Sequence, residues 1–480
     1  MEDHRSSGIL LAVSSLPGPY GIGSLGGPAR RFVDFLAEAG QHYWQILPLV
    51  PPGDGSSPYM SPSAFAGNPY LIDLDELAAE GLLTPQELDG ARWPDPDRVD
   101  YDHLAQTRIP LLRKAWERSQ TAHLQSDAPD LPWLEDYCTF AALHDRYQAP
   151  FWQWPEDAPP PEPEEIDFHR FLQETFYRQW MALKKYASRR CIRIMGDIPF
   201  YLSPDSVQMW RQPELFQLDG KGHLAASAGV PPDAFSDQGQ LWGNPLYDWK
   251  GNKQGVFDFW KRRIQWCAAI YDAVRIDHFR AFHSYWSVPT GAENAREGHW
   301  EDGPGMELLH ALQKSAPQLE LIAEDLGDLG PEALQFVRTC GIPGMKVMVF
   351  AFDPVGESAY LPHNCPRDAV IYTGTHDNVT AEGWRQSASA EDVAYACRYL
   401  RCAPEDLTEA MICACLSCVS DMAVIPLADW LHLDAEARIN TPSTQGSNWQ
   451  WRLTRPLTPA LSAHIAELTA LYHRVPGEEL

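Results

Sequence analysis

Three separated segments of the sequence finish in an acid: Val274-Arg275-Ile276-Asp277, Leu321-Ile322-Ala323-Glu324-Asp325 and Tyr372-Thr373-Gly374-Thr375-His376-Asp377. Each acid follows a short run rich in apolar or β-branched residues and so reads as the carboxyl end of a buried strand. Carboxylates gathered at such positions repel one another and lose hydration. Proteins keep that arrangement mainly where chemistry uses it, and two or three acids around one pocket suit the breaking of a glycosidic bond. Side-chain alternation puts Ala273, Arg275 and Asp277 on one face of their segment and Val274, Ile276 and His278 on the other. The apolar pair is expected to meet outer helices, which leaves Arg275 and Asp277 pointing toward a shared mouth. The bland reading is a buried ion pair that only holds the strand, but such pairs contribute little net stability. In a retaining mechanism Asp277, beside Arg275, suits the nucleophile. Glu324, near like charges and partly desolvated, suits the general acid/base. Asp377 would hold sugar hydroxyls as the ring distorts, with His376 donating to a hydroxyl beside it.

The elements that must position these groups are legible as eight strand-like runs: Gly8–Val13, Tyr43–Val50, Cys191–Pro199, Ala273–His278, Leu319–Glu324, Met345–Phe350, Ala369–Tyr372 and Ala423–Pro426. Helical patterns separate most of them, at Pro28–Gly40, Asp167–Arg190, Val256–Ile270, Met306–Ser315, Pro331–Cys340 and Glu391–Ala414, with a last one at Pro459–His473. Strands alternating with helices predict an α/β fold, a (β/α)8 TIM barrel with catalytic residues at the strand C-termini. The three acids follow runs four, five and seven, as that rule requires. Residues 51–165 carry Pro-rich loops, Trp93-Pro94-Asp95-Pro96 and Ala158-Pro159-Pro160-Pro161-Glu162-Pro163, and two or three amphipathic helices such as Arg108–Ser119 and Trp133–Tyr147. They predict a mainly helical insertion between strands two and three, with 1–50 and 166–480 forming the barrel. Residues 203–250 read as loop-like. After run eight only about fifty residues remain, too few for a C-terminal β-sandwich.

Composition narrows the partners. The 480 residues carry 38 basic and 65 acidic side chains, a net charge of −27. That field repels nucleic acid and anionic membranes and suits a neutral substrate. The acidic start Met1-Glu2-Asp3-His4 and the short apolar run Ile9–Val13 do not make a secretory leader. No stretch approaches the ~20 apolar residues of a membrane span. Ten cysteines without framework spacing fit a reducing compartment, so a cytoplasmic protein is expected. Within Cys413-Ala414-Cys415-Leu416-Ser417-Cys418 a lone C-x-x-C lacks a second pair and reads as small core residues rather than a metal site. Among 18 tryptophans some are candidates for stacking on sugar rings.

Three motifs are decoys. Gly21-Ile22-Gly23-Ser24-Leu25-Gly26 matches G-x-G-x-x-G, but the loop Ser14–Tyr20 parts it from its strand, and Leu47-Pro48-Leu49-Val50 lacks the acid that would hold a ribose. The first strand ends Ala12-Val13-Ser14-Ser15 and offers no His-x-His for a barrel metal site. No G-x-S-x-G elbow occurs.

The sequence resembles the amylomaltases, or 4-α-glucanotransferases, of glycoside hydrolase family seventy-seven, barrel relatives of the α-amylases. The resemblance covers nearly the whole chain. It rests on Ser15-Leu16-Pro17-Gly18-Pro19-Tyr20-Gly21-Ile22-Gly23, Ser57-Pro58-Tyr59, Ser63-Ala64-Phe65-Ala66-Gly67-Asn68-Pro69 and Gly196-Asp197-Ile198-Pro199. Next come Gly229-Val230-Pro231-Pro232-Asp233, Gly239-Gln240-Leu241-Trp242-Gly243-Asn244-Pro245 and Arg275-Ile276-Asp277-His278-Phe279-Arg280. The series ends with Ala323-Glu324-Asp325-Leu326-Gly327, Pro343-Gly344-Met345-Lys346, Thr375-His376-Asp377-Asn378 and Ala437-Arg438-Ile439-Asn440-Thr441-Pro442. It implies retaining disproportionation of α-1,4-glucans such as maltooligosaccharides, starch and glycogen, with glucose among the acceptors and no obligatory metal or organic cofactor. Asp277 would form the covalent glucosyl intermediate, Glu324 would serve as acid then base, and Asp377 would stabilise the transition state. Asp197, Arg275 and His376 match sugar-contacting positions where the bond is cut, and Asn440 matches a further one. Phe235, Gln240 and Trp242 match a loop over the cleft, and Tyr59 an aromatic of the donor or remote glucan site. Ser203-Pro204-Asp205 departs from the family, which more often has a histidine before the acid. A glucan hydrolase or cyclising enzyme on the same carboxylates is the nearest alternative, and a non-catalytic glucan-binding protein a more distant one.

Overall fold

Short runs of aliphatic and β-branched residues, buried on both faces, set the core strands. The computed structural model describes residues 5–93, 97–122, 131–232, 236–327, 329–444 and 446–475. Among them twelve strands form: β1 (Ser6–Leu10), β2 (Tyr43–Gln45), β3 (Arg193–Ile198), β4 (Ala226–Val230), β5 (Gln240–Pro245), β6 (Ala273–Ile276), β7 (Ser284–Pro289), β8 (His299–Asp302), β9 (Glu320–Ala323), β10 (Gly344–Val347), β11 (Ala369–Tyr372) and β12 (Met422–Pro426). Eight of these make one parallel sheet in the order β10-β11-β12-β1-β2-β3-β6-β9. The two ends meet where the Ala323 N–H donates to the Pro343 carbonyl at 2.8 Å. At the same seam Asp325 Oδ1 accepts the Met345 N–H at 2.6 Å, so a side chain does part of the work of a ladder. The result is the (β/α)8 barrel expected from the eight runs.

Helices wrap the strands in chain order. Pro163–Ser188 packs against both Gly27–Glu38 and Lys253–Ile270, and the last of these against Gly305–Ser315. Pro459–Leu471 lies across Gly27–Glu38 and Leu407–Ser417, which joins the end of the chain to its beginning. Arg474 completes that join by donating to the carbonyls of Ser6, Leu416, Cys418, Ser420 and Asp421. The single helix expected over Glu391–Ala414 is two, Ala390–Leu400 and Leu407–Ser417. Arg401 turns left-handed at φ 56° and Pro404 follows, so the first helix cannot continue. Cys413 and Cys415 sit on the second helix, and all ten cysteines are free.

Among the described residues of 51–165, four α-helices precede the long one: Leu74–Ala79, Pro85–Ala91, Tyr101–Ala122 and Leu134–Tyr147. Residues 94–96, part of one Pro-rich loop, lie outside the described residues. Two glutamines of Pro163–Ser188 fasten this region to the barrel. Gln173 exchanges both amide bonds with the Gly67 backbone, and Gln179 does the same with Asp73. Gly67 must be glycine, because a Cβ there would sit 2.0 Å from the Phe176 ring.

The loop-like reading of 203–250 is corrected. That stretch contains a short helix, Val207–Arg211, and strands β4 and β5, which join β7 and β8 in an antiparallel sheet of order β5-β4-β7-β8. Its small and polar residues, Ser227-Ala228-Gly229 among them, carry little strand signal alone. They become a strand by pairing with β7 some sixty residues later. No helix among the described residues is long and apolar enough to cross a membrane.

Candidate active site

The register of the barrel places the first charged pair. β3 and β6 run parallel with Asp197 directly beside Arg275, so both side chains point the same way. The Arg275 guanidinium, 2% exposed, spans Asp197 Oδ2 at 2.7 Å and Asp277 Oδ1 at 2.8 Å. Asp197 is fully buried, and burial pushes its carboxyl up to about 7 against the pull of Arg275. Burial opposes the charge on Arg275 too, but Asp197 and Asp277 together hold it firmly protonated. Gly196 precedes Asp197 because the Tyr271 ring packs on the strand there, leaving 2.4 Å for a Cβ.

Asp277 follows the last residue of β6, and the next residue, His278, adopts a left-handed conformation at φ 50°. Such a turn is uncommon for a residue with a Cβ. Here it aims two successive N–H groups at Glu324: that of His278 donates to Oε2 at 2.8 Å, and that of Phe279 to the Glu324 carbonyl at 3.1 Å. The Leu326 N–H donates to Oε1 at 3.0 Å. Burial, then the charge of Asp277, push the Glu324 carboxyl up to about 8, outweighing Arg275 and the two backbone donors.

Beyond β11, His376 and Asp377 meet the segment 438–440. Asn440 Nδ2 donates to Asp377 Oδ1 at 2.6 Å, and His376 Nε2 lies 3.3 Å from Asp377 Oδ2. Backbone bonds lock the segment in place: the Asn440 N–H donates to the His376 carbonyl, and Arg438 Nη2 to that of Asp377. Burial lowers the His376 pKa despite Asp377, which favours the neutral ring. Tyr59 ties the two sides together. Its hydroxyl donates to Asp197 Oδ2 and also lies 2.9 Å from His376 Nε2, while its ring stacks on His376 with centroids 5.4 Å apart.

Seven of the expected residues, Tyr59, Asp197, Arg275, Asp277, His376, Asp377 and Asn440, thus form one network at the C-terminal rim, with Glu324 joined through the Asp277–His278 turn. Asp197 Oδ1 and His376 Nδ1 are buried and have no hydrogen-bond partner among the described residues. Gln240 and Trp242 sit on β5 and bond to each other at 3.1 Å. The Trp242 ring stands edge-on to His278 with centroids 4.8 Å apart. Phe235 lies outside the described residues. Ser203-Pro204-Asp205 faces the helical region: Asp205 meets His144 Nε2 at 3.1 Å and accepts the Phe151 N–H. Sequence reasoning missed Trp449, whose ring lies 5.4 Å from Tyr59 and 5.9 Å from His376. It follows Ser447-Asn448 in a polar loop, and only its aromatic character marked it.

The family model described as 4-alpha-glucanotransferase matches residues 11–458. The 4-alpha-glucanotransferase of Streptococcus pneumoniae serotype 4 is 43% identical over 98% of this chain and 98% of its own. That of Thermus thermophilus is 42% identical over 99% of this chain and 100% of its own. The solved amylomaltase from Streptococcus agalactiae in complex with acarbose superposes with a TM-score of 0.92 at 39% identity, covering 98% of this chain and 100% of that one. Full-length similarity of this depth means that the chain belongs to the 4-alpha-glucanotransferase family, glycoside hydrolase family 77, and that its activity is 4-alpha-glucan transfer.

Proposed function

We propose that the transfer runs by double displacement with retention through a covalent glucosyl–Asp277 intermediate. Asp277 attacks the anomeric carbon while the glycosidic C–O bond breaks and the leaving oxygen takes the proton of Glu324. The single observation that carries this reading is the contrast between two neighbouring carboxyls. One is paired to Arg275, and the other holds its proton to about 8 through burial and its neighbour's charge. Once Asp277 is esterified that charge is gone, and Glu324 loses part of what favoured its proton. It is then suited to accept the proton of an incoming hydroxyl as the Asp277–carbon bond breaks. Asp377, positioned by Asn440 and His376, would stabilise the oxocarbenium-like transition state. Asp197, Arg275, His376 and Tyr59 would hold the glucose unit being transferred.

Gln240 and Trp242 on β5, together with Phe235, five residues before Gln240 in the sequence, would cover the cleft and disfavour water relative to a sugar hydroxyl. Donors and acceptors would be maltooligosaccharides, starch or glycogen, with glucose as the smallest acceptor and cyclisation when a chain attacks with its own end. Ten free cysteines support a reducing cytoplasm as the site of action. Residues 51–165 would act as an insertion subdomain that supplies Tyr59.

Incubating the protein with maltotriose tests the reading. A ladder of longer oligosaccharides plus glucose is expected, whereas glucose and maltose alone would indicate hydrolysis. Asp277→Asn should cut the rate by at least about a thousandfold. An Asp277→Asn protein with near-normal transfer would remove Asp277 from the mechanism.

A further inference from the structure

Asp429 is a fully buried acid in the short helix Leu427–Trp430, which follows β12. Its Oδ2 accepts the hydroxyl of Thr373, and its Oδ1 accepts the N–H of Ala381 at 2.7 Å. Both donors are uncharged, and they offset only part of the cost of taking a carboxylate out of water. Burial pushes its pKa up to about 6 against the pull of Thr373, Ala381 and His432. A buried acid of this kind contributes little net stability, so the position of its two partners is the informative feature.

Those partners bracket the loop that carries His376 and Asp377. Thr373 is the first residue after β11, and Ala381 opens the helix Ala381–Ser387. One carboxylate therefore joins the two ends of the segment 374–380. In doing so it takes up an N–H that the first turn of a helix leaves without a helical acceptor. Within the segment Asn378 Oδ1 accepts the N–H and the hydroxyl of Thr375, at 2.9 and 2.8 Å, and Thr375 Oγ1 accepts the Asp377 N–H at 3.3 Å. The loop is thus tied internally, and its placement as a unit depends on what grips it from outside. Asn440 and Arg438 grip it at the His376 and Asp377 carbonyls, and Asp429 grips it at the base. A displacement of roughly 1 Å in a group that meets the transition state can cost about a hundredfold in rate.

We propose that Asp429 is a positioning residue for the transfer reaction: by joining Thr373 to Ala381 it holds the loop 374–380 so that Asp377 faces the reacting sugar. The proposal rests on the role of Asp377 given above and adds the group that keeps Asp377 in place. An acid that only stabilises the fold, the competing account, would change the rate by the same factor whether or not the Asp377 carboxylate is present.

The test is a double-mutant cycle on maltotriose disproportionation, read as kcat at a temperature where circular dichroism shows every variant folded. Asp429→Ala should lower kcat roughly thirtyfold. Asp429→Asn should stay within about threefold of wild type, because its Oδ1 can accept the Ala381 N–H while its Nδ2 donates to the Thr373 hydroxyl. In an Asp377→Asn background, Asp429→Ala should lower kcat by less than about threefold further, since the group it positions is already lost. Thr373→Val removes one of the two bonds and should give a loss of about fivefold that likewise disappears in the Asp377→Asn background, which keeps the test open should Asp429→Ala fold poorly. An unchanged kcat in Asp429→Ala and Thr373→Val would overturn the proposal, as would the same fold-loss in both backgrounds. Near-normal kcat in Asp377→Asn alone would instead overturn the role of Asp377 on which the proposal rests.

Discussion

Glu324 holds its proton through two features that mutation and pH can reach separately: its enclosure and the charge of Asp277. With the folded carboxyl at about 8, the acid form is present through neutrality and is lost above it. The kcat/KM profile should therefore have an alkaline limb near pH 8, falling about tenfold per further unit. Rates with maltotriose across pH 5 to 10 would check this, and a limb already complete at pH 6 would contradict it. The same shift affects stability. The folded state binds this proton more tightly than the unfolded chain does at its ordinary value of 4.5. Its contribution is complete below that value and disappears as the pH rises through 8. At this scale the sequence was informative, because acids that end apolar runs are unusual and Arg275 two residues before Asp277 fixed which way both point. Trp449 was not legible, since nothing in a stretch of Thr, Ser, Gly and Asn says which residue of the barrel it will meet.

The small antiparallel sheet is the element that separates transfer from hydrolysis in the proposed reading. β5 presents Trp242 to His278 and anchors itself through buried Asn244, whose amide donates to the Leu202 carbonyl at 2.7 Å. Trp242→Ala should raise the ratio of hydrolysis to transfer several-fold, read as reducing sugar released from amylose against label moved to glucose. No change in that ratio would detach the sheet from water exclusion. The barrel strands were visible in the sequence because each is a local apolar run, such as Ala369–Tyr372, that needs no partner to be noticed. The sheet was hidden because its residues declare themselves only in pairs: Gly229 is a strand residue by virtue of Leu241 and Trp286 on either side. The break between Ala390–Leu400 and Leu407–Ser417, by contrast, was marked in the sequence by Pro404, and the left-handed Arg401 is where the first helix ends.

At the scale of the molecule, an eightfold ring leaves no exposed edge except where its ends must be fastened. Seven of its junctions are continuous ladders, and the eighth, between β9 and β10, relies on the Ala323–Pro343 bond and on Asp325. Lys346 Nζ also approaches Asp325 Oδ2 at 3.4 Å, drawing the same carboxylate toward β10. Asp325→Ala should lower kcat several-fold with a smaller change in KM, because it releases the Met345 amide without touching the sugar. Hydrogen exchange at Met345 should quicken in that variant, and exchange there as slow as in wild type would argue against this role. The proposed general acid, Glu324, is the residue just before Asp325. The hoop is therefore clasped next to its own proton donor, and on warming this clasp should slip first, so that catalysis fades while the rest of the barrel is still intact.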